Sequence, residues 1–196
     1  MKCDESLVPM HGSVTSFSVS PAVNTKSFHD AFESMPAPRK VCQSIYEQTG
    51  RILSATNNAE CEHMAAVNAR TGELVADNLG RPPVRGKTGF NAGELERALA
   101  CPDGVILVHN HPASKPPSYR DVHTAASYSC IVASVIVGHD ASVWWVAVRD
   151  VGIASKLESH YNDFKDVMGD YAEVKALRMV LNDPKAKKSF DWRCMR

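Results

Sequence analysis

Apolar residues recur at helical spacing in several stretches of the chain. Val41, Ile45 and Gln48 predict a short helix over residues 39–49, and Gly50 is well placed to end it. Residues 91–101 and 118–130 each begin with a capping sequence and continue with apolar positions, which predicts two more helices. A further pattern runs from 155 to 182 and stops at Asp183-Pro184, which predicts one long helix.

Between these helices, shorter apolar segments are typical of strands. The continuous run over 104–108 predicts a strand that is buried on both faces, and residues 132–137 and 142–148 predict two more. Segments 61–68 and 73–78 flank a Thr71-Gly72 turn and predict a hairpin. The order of elements favours the α/β class, with a three-layer-like mixed sheet flanked by helices.

This pattern divides the chain into three parts. We expect residues 1–38, rich in Ser, Val, Pro and Asn, to form a weakly ordered arm with one helix near Phe28 to Met35. Residues 39–154 would form the folded domain. Residues 155–196 would form the long helix and a basic tail. The helix would either pack on the domain or mediate self-association into a homo-oligomer, and the sequence leaves both open.

Composition narrows the class of protein. The 196 residues include 22 Lys+Arg and 22 Asp+Glu, and this zero net charge argues against a general nucleic-acid-binding surface. The chain begins without an apolar signal segment and has no run of about 18 apolar residues, so we expect no membrane span and a cytoplasmic location. Its six cysteines are scattered, which favours reduced thiols over a disulfide framework.

One short region combines residues that bind metals. His109 and His111 lie two residues apart at the end of the predicted buried strand, so their side chains point to the same side. Ser118-x-x-Asp121 has the form of a capping box and would place Asp121 in the first turn of a helix. Two histidines and one carboxylate are a standard ligand set for catalytic zinc. We therefore predict a Zn²⁺ site held by His109, His111 and Asp121.

The stretch His109-Asn110-His111-Pro112, followed by Ser118-x-x-Asp121, resembles the JAMM motif of JAB/MPN zinc metalloproteases. Its His-Asn-His-Pro opening is most similar to bacterial members, including RadC-like proteins. Six residues separate His111 from Ser118, one fewer than in the family pattern. The resemblance covers roughly residues 58–150 and implies the JAB/MPN (cytidine-deaminase-like) fold.

The family pattern also includes a glutamate on an upstream strand. Glu62, in the sequence from Glu62 to Glu73 that ends with a Thr-Gly-Glu turn, is the best match. Glu60 is the alternative, because it would lie on the same face of an extended strand. The resemblance implies that this glutamate is the general base, acting through a zinc-bound water. Ser118 would either donate a hydrogen bond to the developing oxyanion or serve only as the helix cap.

The implied activity is that of a zinc-dependent hydrolase of amide or isopeptide bonds. Its implied partner is a ubiquitin-like protein or its conjugates, bound through an extended C-terminal tail. The loop from Gly80 to Phe90, with Arg81, Arg85 and Lys87, would be either a substrate flap or a plain solvated loop.

A second hypothesis is a non-catalytic, RadC-like interaction module in DNA maintenance or phage defence. Its support is the basic tail with Lys185, Lys187, Lys188, Arg193 and Arg196. The complete ligand set argues against this hypothesis, because a scaffold has no need of it.

Overall fold

The structure is a computed structural model, and it describes residues 17–82, 85, 88–169 and 171–195. After a 3₁₀ turn at Pro21–Asn24 there are seven α-helices in these residues: α1 Lys26–Glu33, α2 Arg39–Thr56, α3 Ala92–Leu99, α4 Tyr119–Ser127, α5 Gly152–Met168, α6 Tyr171–Asn182 and α7 Pro184–Lys187. The same described residues form six strands: β1 Met64–Asn68, β2 Leu74–Asp77, β3 Val105–His111, β4 Ile131–Gly138, β5 Val143–Val148 and β6 Phe190–Cys194.

The strands form one mixed sheet in the order β2-β1-β3-β4-β5-β6. The central pair β3 and β4 is parallel, and each of the other neighbouring pairs is antiparallel. Every residue of β3 is buried, as the continuous apolar run predicts. The predicted hairpin is confirmed as β1 and β2, and the α/β class is confirmed at the level of a mixed sheet flanked by helices.

Helices cover both faces of the sheet because side chains alternate along each strand. In β5, Trp145 packs in the cluster that contains α1 and α2, whereas Trp144 packs in the cluster that contains α4, α5 and α6. A third, smaller cluster joins α3 to the β1 end of the sheet through Ala98, Ala66 and Leu107. The sheet is therefore a rigid central layer on which a site at the end of β3 can be built.

The predicted weakly ordered arm is wrong for residues 17–38. Helix α1 has a Thr25 cap and buries Phe28 and Phe32, which are 6% and 1% exposed, in the core beside α2. Both phenylalanine rings also lie near the ring of Tyr46. Burial of two aromatic side chains makes this segment part of the folded unit. Residues 1–16 lie outside the described residues.

Helix α2 continues past Gly50, so the predicted end of this helix is wrong. Ile52, Leu53 and Thr56 extend its buried face for nearly two more turns. A glycine inside a helix costs about 1 kcal/mol relative to alanine, which is less than the gain from burying two large apolar side chains. The extension brings Thr56 beneath the end of β3.

The predicted long helix over 155–182 is two helices. Gly169, with φ +51°, ends α5, and α6 begins at Tyr171. Leu157 of α5 and Leu177 of α6 pack in one cluster on the sheet. Of the two alternatives for this segment, the structure therefore shows packing on the domain.

The prediction of a plain basic tail is also wrong, because the tail folds into α7 and β6. Strand β6 pairs with β5, with Trp192 opposite Val146. Residues 155–196 therefore contribute a strand to the same sheet. The five cysteines in the described residues, Cys42, Cys61, Cys101, Cys130 and Cys194, are free thiols. Among these residues, no helix has both the length and the apolar character needed to cross a membrane.

Candidate metal centre

The two motif histidines lie at the last residues of β3. Strand β3 runs through His111, further than the predicted run, and it is held on both sides by β1 and β4. His109 and His111 are 3% and 9% exposed. Because they are two residues apart on one strand, both imidazoles project from the same face of the sheet. A buried strand that is paired on both sides thus carries both rings.

Asp121 is held by the start of α4, as the capping pattern predicts. The Ser118 hydroxyl accepts a hydrogen bond from the Asp121 backbone N–H, while the Asp121 carboxylate accepts one from the Ser118 N–H. The Ser118 hydroxyl also donates to Asp121 Oδ2 at 2.7 Å. This capping box fixes the orientation of the carboxylate before any ligand binds.

The structure brings the three predicted ligands together. Asp121 Oδ1 lies 3.0 Å from His109 Nε2, and Asp121 Oδ2 lies 3.4 Å from His111 Nε2. The two Nε2 atoms are 3.3 Å apart, and all three residues offer ligand atoms that lie within 4.8 Å of one another. The one-residue deficit between His111 and Ser118 therefore does not separate the ligands.

The donor chemistry of this cluster fits zinc. His111 Nδ1 lies 2.8 Å from the Lys115 carbonyl oxygen, which can only accept, so Nδ1 carries the proton in the neutral ring. The lone pair of the neutral ring is then on Nε2, the atom that faces Asp121. Histidine ligands of metals usually donate their other N–H in this way. In the described part of the chain, the buried His109 Nδ1 has no such partner.

The cluster is electrostatically coupled. Burial lowers the pKa of His111, but its hydrogen bond to Asp121 and the charge of that carboxylate outweigh this effect and raise the pKa to about 8. Burial also acts to raise the pKa of Asp121, and the two histidines overcome it and hold this pKa well below its usual range. Asp121 is therefore a carboxylate at neutral pH, the form that binds a cation.

Glu62 lies next to this cluster. Met64 of β1 pairs with His109, and continuing this antiparallel register backwards places Glu62 opposite His111. Glu62 is half-buried, and this burial raises the pKa of its carboxyl, an effect that the charges of His111 and His109 oppose. It precedes β1 by two residues and so lies in an irregular segment, not in the strand itself.

Glu60 and the loop arginines are engaged elsewhere. Glu60 forms an ion pair with Arg85, which also makes an isolated β-bridge with Cys61. Arg81 forms an ion pair with Glu94 at the start of α3. Lys87 lies outside the described residues. This arrangement favours Glu62 over Glu60 as the acidic group of the site.

A buried network of polar side chains lies behind the site, and the sequence patterns did not predict it. The side chain of Asn110 contacts Thr56 and His139 as well as the backbone of residues 61 and 63. The only sequence signal was the polar Asn110 in an otherwise apolar strand. His139 and Thr56 carry no recognisable spacing, so the fold alone brings them there.

Comparison of the chain with protein-family models, with curated proteins and with solved structures found no match. A function for this protein must therefore be argued from the residues of the site.

Proposed function

We propose that the protein is a zinc-dependent hydrolase of amide or isopeptide bonds, of the JAMM type. The observation that carries the proposal is the convergence of His109, His111 and Asp121, with a half-buried Glu62 whose carboxyl pKa is raised. A raised carboxyl pKa is typical of a group that accepts and then returns a proton during a reaction near neutral pH.

The chain's own residues have distinct tasks in this proposal. His109, His111 and Asp121 would hold the ion, which when bound lowers the pKa of a water ligand to about 7 and polarises a carbonyl group. Glu62 takes the proton from the attacking water and passes it to the amine that leaves. Both transfers involve a carboxylate oxygen of the same side chain, so Glu62 ends the reaction in its starting form.

Ser118 is the helix cap in this structure. Its single hydroxyl proton is directed to Asp121 Oδ2. It can donate to a developing oxyanion only when that hydrogen bond is exchanged. The role that the structure favours for Ser118 is therefore to orient Asp121, and the oxyanion role remains the alternative.

The substrate class follows from the motif's resemblance to the JAMM pattern. We infer that the substrate is the extended C-terminal tail of a ubiquitin-like protein, or a conjugate made through it. Glu62 is half-buried, and the neighbouring Glu60–Arg85 ion pair lies at the surface, which would leave the reacting bond an approach from that side.

Replacing Glu62 provides the direct test. Zinc content is measured on the purified protein, and cleavage is measured on isopeptide-linked diubiquitin and on a ubiquitin-like domain fused to a short peptide. We expect bound zinc in the wild type and in Glu62→Gln, and a loss of kcat in Glu62→Gln of about 10²–10⁴-fold, the usual contribution of a general base.

The matched control is Glu60→Gln, two residues away and ion-paired with Arg85. It should keep its activity within about twofold, because a surface ion pair contributes little. Wild-type protein without zinc, or undiminished cleavage by Glu62→Gln, would contradict the proposal. Loss of activity in Glu60→Gln alone would transfer the role of base to Glu60.

A further inference from the structure

The segment that carries Glu62 has little regular structure of its own. Glu62 lies between the isolated bridge at Cys61 and the first residue of β1, Met64. A general base must nevertheless stay within about 3 Å of the oxygen atom whose proton it takes. The structure therefore needs another source of rigidity for this residue, and the side chain of Asn110 supplies it.

Asn110 binds the two peptide groups on either side of Glu62. Its Oδ1 accepts a hydrogen bond from the His63 N–H at 2.9 Å, and its Nδ2 donates to the Cys61 carbonyl oxygen at 3.0 Å. These peptide groups are the ones that the φ and ψ angles of Glu62 connect. Fixing both planes therefore fixes the backbone of Glu62.

The amide of Asn110 is itself held in one orientation. The second hydrogen of Nδ2 faces two acceptors, His139 Nε2 at 3.1 Å and Thr56 Oγ1 at 3.3 Å. His139 Nδ1 lies 2.7 Å from the Phe17 carbonyl oxygen, an acceptor, so Nδ1 carries the proton and Nε2 is free to accept. Asn110 and His139 are 0% and 2% exposed, so water does not compete for these bonds.

Asn110 also lies between the two histidine ligands on β3, with its side chain on the opposite face. We propose that Asn110 is a positioning residue that clamps the backbone of Glu62 to the strand holding the metal ligands, and so sets the distance between the base and the metal. This proposal rests on the proposed function.

The test compares Asn110→Ala with Asn68→Ala. Asn68 is also a buried asparagine, at 7% exposed, and it binds backbone N–H groups at the far end of β1. With the zinc-loaded protein and the diubiquitin substrate, Asn110→Ala should lower kcat about 10- to 100-fold, as expected for a misplaced catalytic group, with KM within about twofold. Asn68→Ala should lower the melting temperature and leave kcat unchanged.

Two further measurements distinguish a misplaced Glu62 from a general disruption of the fold. The Co²⁺-substituted Asn110→Ala protein should keep the wild-type electronic spectrum, since the ligands are intact. Hydrogen exchange at the His63 amide should become at least tenfold faster, while exchange at other β1 amides should not. If Asn110→Ala does not fold, Asn110→Asp replaces it in these measurements, because it keeps an acceptor for the His63 N–H and loses the donor to the Cys61 carbonyl oxygen. It should lower kcat and leave KM and the Co²⁺ spectrum unchanged, and an unchanged kcat would contradict the positioning role.

The outcomes are distinguishable. Unchanged kcat in an active protein carrying Asn110→Ala, an equal loss in Asn68→Ala, or an altered Co²⁺ spectrum would each overturn the positioning role alone. A wild-type protein that binds zinc and cleaves neither substrate would overturn the proposed function and the role of Asn110 with it. A lower kcat in Asn110→Ala, with unchanged KM and an unchanged Co²⁺ spectrum, supports both the proposed function and the positioning role of Asn110.

Discussion

At the scale of single residues, the protonation of His111 would compete with binding of the proposed metal ion. Its pKa of about 8 reflects the attraction of Asp121, which outweighs burial. Without zinc, the protonated ring stabilises the folded state, because its pKa there exceeds the ordinary value of 6.5. With zinc, the neutral ring is required, because a protonated imidazole has no lone pair for the ion. The zinc-free protein therefore loses this contribution as the pH rises, and the zinc-bound protein does not depend on it.

We expect the zinc-free protein to lose stability as the pH rises. The contribution of His111 is fully present below pH 6.5 and is lost as the pH rises through about 8. A shift of this size corresponds to about 2 kcal/mol in the free energy of unfolding. Urea unfolding in the presence of a chelator, from about pH 7 to pH 9, measures the larger part of this loss.

With saturating zinc, the free energy of unfolding should change little over the same range, because above about pH 7 the ring is neutral in the zinc-bound protein and in the unfolded chain alike. His111→Ala should lack the loss seen in the zinc-free wild type. A zinc-free wild type whose stability is flat or rising over that range would show that the His111–Asp121 interaction is absent in solution.

At the scale of elements, helix α1 shows how a terminal segment joins the core. The ring centroid of Phe32 lies 5.1 Å from that of Phe28 and 5.4 Å from that of Tyr46 in α2. Aromatic side chains packed in this way bury large areas and add a small favourable ring interaction. Helix α1 therefore contributes to the same core that supports β3 and the site.

We expect Phe32→Ala to lower the free energy of unfolding by about 3–5 kcal/mol, the usual cost of emptying a buried aromatic site. The exposed Glu33→Ala in the same helix should change it by less than about 0.5 kcal/mol. Chemical denaturation of both variants makes the comparison. Equal stability of Phe32→Ala and the wild type would mean that residues 17–38 are attached only loosely.

Local patterns predicted the elements near the site more accurately than those at the ends. The capping boxes at Asn91 and Ser118 and the apolar run in β3 depend on neighbouring residues, and the structure contains all three. The three candidate metal ligands also follow from local spacing, and the structure brings them together as the short loop between them predicts. Two glycines show the limit of local patterns, because Gly50 lies inside helix α2 whereas Gly169 ends helix α5. Only the packing partners of the following residues decide between these outcomes.

The clamp at Glu62 could not have been predicted from the sequence. Its members are Thr56, Cys61, His63, Asn110 and His139, with Phe17 behind them. Their separations along the chain reach 122 residues, so no local pattern connects them. Strand β6 escaped prediction for a related reason: its pairing partner, β5, is some forty residues earlier, and the lysines before it resemble a solvated end.

At the scale of the whole molecule, the last described residues close one edge of the sheet. The ring of Trp192 lies 6.3 Å from that of Trp144, which is 5% exposed. Removing β6 would leave the backbone groups of β5 unpaired and uncover this tryptophan, which invites self-association. Deleting the tail is therefore a poor test of whether its lysines bind DNA.

Substituting the exposed lysines tests that role without disturbing the sheet. We expect Lys187→Gln combined with Lys188→Gln to unfold like the wild type. Truncation after Lys188 should cost about 3–5 kcal/mol, comparable to loss of a buried aromatic residue, and should promote aggregation. Denaturation and light scattering measure both. Salt-dependent DNA binding that the double substitution weakens would instead favour the non-catalytic, DNA-associated hypothesis.

The carboxylate of Asp121 closes the first turn of α4 and faces both imidazoles at the same time. If an ion binds there as proposed, its binding and the order of this helix start would depend on the same side chain. Thermodynamic linkage would then require each to change the other by the same factor. The NMR signals of the backbone amides of residues 118–121 would then report the fraction of the protein that has bound the ion. Loss of the ion would therefore change the amide signals of that turn before those of the sheet.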